Sequence, residues 1–87
     1  MISEKYKRIY KLTYENRDIL LKAKKCVCVY CGAEFDVSEI EWWQSDPNNL
    51  TAQCPHCWID AVLPKEINGE EITKEDVEKM FEYYFGT

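Results

Sequence analysis

The chain has few of the residues that interrupt regular structure: its 87 residues include 3 glycines and 3 prolines. That scarcity excludes collagen-like, linker-like and low-complexity architectures. Histidine occurs once, at His56, between two cysteines. No Ser/His/Asp group or glycine-rich phosphate loop accompanies it, so the chain is read as a non-enzyme. Long apolar runs are also missing, and no stretch approaches the ~20 residues a bilayer requires. Lys5, Lys7, Arg8 and Lys11 are followed by no apolar segment, so no secretory signal is read. The expected location is the cytoplasm, where thiols stay reduced.

What remains has the composition of an ordinary globular protein, 46% hydrophobic and 31% charged. One domain spanning 1–87 is expected. A domain of this size buries only about 60% of its unfolded surface, so a metal or disulfides would help it fold. Five cysteines are an odd number, which suits a metal site plus a spare thiol better than a disulfide set. The net charge of −5 is unevenly spread. Residues 1–25 hold eight bases against three acids, a net of +5, whereas 26–87 hold three against thirteen, a net of −10. Such polarity lets the halves pair internally or meet different partners.

Two Cys-x-x-Cys pairs, Cys28/Cys31 and Cys54/Cys57, are separated by 22 residues. A two-residue spacer lets both sulfurs of a tight turn face one point. Two such turns supply four soft ligands in the tetrahedron zinc prefers, with S–Zn of ~2.3 Å. Four thiolates leave no position for water, so the site is structural rather than catalytic. Cys26, two residues before Cys28, is an alternative ligand, although a half-buried non-ligand is the simpler reading. His56 is expected at the exposed tip of its turn, pointing away from the metal.

The spacing of Tyr6, Tyr10, Tyr14 and Leu21 suits one helical face, so 1–25 is read as a basic helical arm. Thr13 is a fair N-cap and marks a place where that helix breaks or restarts. Asp36-Val37-Ser38-Glu39 has the form of a capping box and predicts a short helix near 37–44. Ser45 to Asn49 ends it as a turn, and Leu50 to Gln53 reads as a strand. Residues 58–63 fit either a strand or a helical turn. Asn68-Gly69 signals a turn. Thr73 caps a last helix over 73–85, where Val77, Met80, Phe81, Tyr84 and Phe85 form an apolar stripe.

The fold class expected is α+β: a small zinc ribbon-like, two-knuckle core over 26–63, with an N-terminal helical arm and a C-terminal amphipathic helix. Trp42 and Trp58 are assigned to the core over the metal. Neighbouring residues on a helix face different ways, which leaves Trp43 as a candidate partner contact. Tyr6 and Tyr10 beside Lys7 and Arg8 offer the stacking and charge that a nucleic acid would need. A helix face packed on the domain is the simpler account, and the acidic total argues against general nucleic-acid affinity.

Several segments resemble a family of small bacterial and phage cytoplasmic proteins with no established activity. They are Lys25 to Cys31, Phe35, Ser38-Glu39-Ile40, Trp42, Thr51 to Leu63 (Thr-Ala-Gln-Cys-Pro-His-Cys-Trp-Ile-Asp-Ala-Val-Leu) and Ile72-Thr73. The resemblance implies a zinc ribbon-like centre with flanking helices, although Trp58 stands where that family usually has glycine. Cys-x-x-Cys-Gly, Phe35-Asp36 and Cys-Pro-x-Cys are similar, more weakly, to rubredoxin, which implies iron and electron transfer. The resulting expectation is a structural-zinc protein-interaction module. The alternatives are a nucleic-acid adaptor using the basic arm and a rubredoxin-like carrier. No membrane or small-molecule substrate is expected.

Overall fold

The basic arm is not one helix. The computed structural model, which describes residues 2–86, folds it as α1 (Glu4–Tyr10), a 3₁₀ turn (Lys11–Thr13) and α2 (Arg17–Ala23). The break falls at Thr13, which closes the first helix rather than capping the second. Its hydroxyl donates back to the Tyr10 carbonyl at 2.8 Å, the local competition that makes threonine a poor helix interior. Glu15 then takes a left-handed φ of 48°, which reverses the chain. The tyrosine stripe is therefore split: Tyr6 and Tyr10 are half-buried, while Tyr14 and Leu21 are exposed.

Asn16 holds the junction. Its amide donates to the carbonyls of Leu12 (2.9 Å) and Val62 (2.8 Å) and accepts from the Ala52 N–H (3.0 Å). The side chain is buried with these groups satisfied, so one residue ties the arm to two distant strands.

Strand β1 (Lys25–Cys28) is central in a three-stranded antiparallel sheet, between β2 (Glu34–Asp36) and β5 (Val62–Pro64). Cys26 faces Phe35 on one side and Pro64 on the other. Of residues 58–63, open between strand and helix from sequence, Val62 and Leu63 belong to β5, and Pro64 is part of that strand. The Asp36/Glu39 capping box is present, but it starts a single 3₁₀ turn (Val37–Glu39) and not a helix near 37–44. The chain then straightens because β3 (Trp43–Ser45) pairs with β4 (Leu50–Ala52), and cross-strand pairing overrides the local helix signal. Asn68-Gly69, at φ 51° and 84°, closes the hairpin of β6 (Glu66–Ile67) and β7 (Glu70–Glu71), as a two-residue turn of this type requires.

Helix α3 (Lys74–Tyr84) has a reciprocal cap: the Thr73 hydroxyl accepts from the Asp76 N–H, and Asp76 accepts from the Thr73 N–H. Val77 and Met80 are buried, with Phe81 and Tyr84 flanking them. Asp76 also accepts from the Tyr6 hydroxyl at 2.8 Å, and Tyr10 stacks on Tyr84 at 3.7 Å, so α1 lies against α3. The architecture is α+β, three helices around small antiparallel sheets. No helix among the described residues is long and apolar enough to cross a membrane.

These ties give two expected outcomes. Asn16→Ala leaves the buried Val62 carbonyl and Ala52 N–H and the part-buried Leu12 carbonyl without this partner. It should cost about 3 kcal/mol, read as a lower urea midpoint at unchanged slope. For Asp76, burial raises the carboxyl pKa, but the Thr73 amide and the Tyr6 hydroxyl outweigh burial and hold it below its ordinary value. A depressed carboxyl contributes stability above the unfolded value of about 3.9 and loses it as pH falls through the folded value. Tyr6→Phe should therefore cost about 1 kcal/mol at neutral pH, and urea titrations should show the gap narrowing in acid.

Candidate metal centre

Each cysteine pair sits in a turn with the same hydrogen bonds. In the first, the Cys28 N–H donates to the Ala33 carbonyl and the Cys28 carbonyl accepts from the Gly32 N–H, both at 2.9 Å. In the second, the Cys54 N–H donates to the Ile59 carbonyl (3.0 Å) and the Cys54 carbonyl accepts from the Trp58 N–H (2.8 Å). The residue after each second cysteine has a left-handed φ, 77° at Gly32 and 66° at Trp58. The turns meet because β1 pairs with β5, a pairing extended by the Val29 N–H to Ala61 carbonyl bond at 2.9 Å.

The four sulfurs consequently converge. Cys28 lies 3.7 Å from Cys57 and Cys31 lies 3.7 Å from Cys54, with all four sulfurs within 4.8 Å of one another. These are free thiols, since a disulfide would bring sulfurs to about 2.05 Å. A tetrahedron of bonds of about 2.3 Å sets its corners about 3.8 Å apart, so the observed spacing suits one enclosed metal ion. Cys28 and Cys54 are buried, Cys57 is half-buried and Cys31 forms the exposed edge.

The electrostatics favour the same occupant. Burial pushes the Cys28 thiol well up and Cys54 to about 11, against the pull of backbone amides aimed at both sulfurs. One of those amides, His56 N–H, lies 3.3 Å from the Cys54 sulfur. At Cys31 burial is outweighed by the Ala33 amide and by hydrogen bonds from the other thiols, and the pKa falls. Amides alone do not stabilise four adjacent thiolates, two of them buried, whereas a cation at their centre does.

Cys26 lies outside the cluster. It is fully buried on β1, where burial raises its thiol to about 12. The His56 side chain is exposed at its turn tip, with its ring 5.7 Å from Phe35. Tyr30 holds the matching position in the first turn and makes edge contacts with Phe81 (5.7 Å) and Phe85 (5.1 Å) at the end of α3. One cysteine turn thereby docks the last helix.

Trp42 and Trp58, assigned from sequence to the core, are 60% and 54% exposed. Without a helix at 37–44, Trp43 is the one that turns inward, half-buried against the core. Tyr6 and Tyr10 face α3, Lys7 lies 3.9 Å from Glu4, and Arg8 is exposed. Asn16 and Tyr30 were missed as organising residues. The only sequence cue to Tyr30 was its place inside a Cys-x-x-Cys pair.

No family model matches the chain, and no curated protein or solved structure matches it either. The chemistry of the centre rests on its donor set and geometry.

The left-handed position in the second turn gives an expected outcome. Alanine is normally favoured over glycine, but a Cβ in the left-handed region costs about 1–2 kcal/mol. Trp58→Gly should therefore be more stable than Trp58→Ala by about 1 kcal/mol, inverting the usual order. Calorimetry of the two metal-loaded variants reads the difference.

Proposed function

We propose that Cys28, Cys31, Cys54 and Cys57 hold one zinc ion in a closed, two-knuckle, zinc ribbon-like centre, and that the domain this ion organises is a protein-interaction module. The observation that carries the metal reading is the matched pair of turns with sulfurs 3.7 Å apart across them. Soft thiolates in a tetrahedral array suit zinc, and four of them leave no open position for substrate or water. When bound, the ion offsets half of the thiolates' charge and locks the turns together. The chain's residues do the rest: amides orient the sulfurs, and Tyr30 carries the order of the first turn to α3.

Charge supports a protein rather than a nucleic acid as the partner. From Cys26 to Pro64 the chain has six acids and no lysine or arginine. That segment repels phosphate, the group that dominates nucleic-acid affinity. The aromatic residues left in water, Trp42 and Trp58 among them, are the type enriched at protein interfaces.

X-ray absorption and metal analysis of natively purified protein test the centre. One zinc per chain with four sulfur neighbours at about 2.3 Å is expected. Iron as the resident metal, or an oxygen or nitrogen ligand in the first shell, would refute it. Serine at Cys28 or Cys54 should abolish folding at neutral pH, read by circular dichroism, because it removes a ligand from a closed site.

A further inference from the structure

The tryptophans identify a surface and its partner's chemistry. Gly32 shows what the position after a cysteine pair favours: a residue without Cβ, at φ 77°. Trp58 occupies the equivalent position at φ 66° with more than half its surface in water. A bulky residue in the left-handed region is strained, and such strain marks functional positions. Trp42 is also exposed, and both residues are anchored to the same dipeptide. The Gln53 N–H donates to the Trp42 carbonyl at 3.1 Å, and the Cys54 carbonyl accepts from Trp58.

Each indole has a carboxylate close in sequence. Glu41 precedes Trp42, Asp60 follows Trp58 by two residues, and neither forms an ion pair among the described residues. An exposed indole in an acidic segment suits a cationic side chain, the ring taking its face and the segment's carboxylates its charge. The whole segment is acidic without a base, which would steer such a cation in. We infer that Trp42 and Trp58, with Glu41 and Asp60, dock a lysine- or arginine-bearing segment of a partner protein. This rests on the interaction-module reading and names its surface and ligand class. A second copy of the chain is the poorer occupant, because each copy carries −5 and two copies repel.

The test measures binding of a fluorescent arginine-serine repeat peptide to zinc-loaded protein by anisotropy, with a glutamate-serine peptide as control. Salt-sensitive binding of the arginine peptide alone is expected. A Trp42→Ala/Trp58→Gly double variant, with its net charge unchanged and its fold checked by circular dichroism, should weaken binding about tenfold, as two exposed cation–π contacts would. Glu41→Gln/Asp60→Asn should weaken it as well. Absence of binding, equal binding by the double tryptophan variant, or equal binding of the glutamate peptide would overturn the inference. So would self-association in sedimentation that the tryptophan substitutions abolish. If the peptide is ignored while the protein stays zinc-loaded and folded, the surface falls and the metal centre stands. Unchanged binding by metal-stripped protein would overturn the metal-organised module and leave the surface standing.

Discussion

The constraint on which this small protein depends is the meeting of four sulfurs within 4.8 Å, two of them buried. Without a cation the cluster resists full ionisation, because burial holds the Cys28 and Cys54 thiols up and each further thiolate would repel the others. With one, the two turns become a single rigid unit. That unit joins β1 to β5, and through Tyr30 it reaches Phe81 and Phe85 at the end of α3. Few other devices are available to a chain of 87 residues, and metal ligation adds a free energy that a core of this size does not supply alone.

Around that centre the arm is secured by half-buried side chains packed on the core, Tyr6, Ile9, Leu12 and Ile19 among them, and by a few specific polar contacts. Neither α1 nor its 3₁₀ extension contributes a buried apolar side chain, and α2 contributes Leu20. The Asn16 amide and the Tyr6–Asp76 bond fix where the arm sits. The charge division read from the sequence therefore has a spatial counterpart: a basic arm tied to an acidic body that carries the four clustered cysteines. It leaves exposed indoles on the acidic part, where a cationic partner would be drawn.

Much of this was legible in the order of residues. The four cysteines, the caps at Asp36/Glu39 and Thr73/Asp76, the turn at Asn68-Gly69 and the stripe on α3 all depend on neighbours a few residues away. What the pattern concealed depends on distant partners. Asn16 bonds to groups 36 and 46 residues on, which no local signal encodes. The helix expected near 37–44 gave way to a strand because Leu50–Ala52 arrives beside Trp43–Ser45. Size alone puts Trp42 and Trp58 inside, yet Trp58 sits at a left-handed turn position and Trp42 just before β3, and both are left in water.

If a single tetrathiolate ion holds the fold together, its removal must unfold the chain. A strong chelator titrated into native protein tests it, with zinc release, near-ultraviolet circular dichroism and far-ultraviolet circular dichroism followed on the same samples. The three signals should fall together in one cooperative transition, with the fold restored on adding zinc. Metal leaving while both dichroism signals persist, with an unchanged melting temperature, would contradict it.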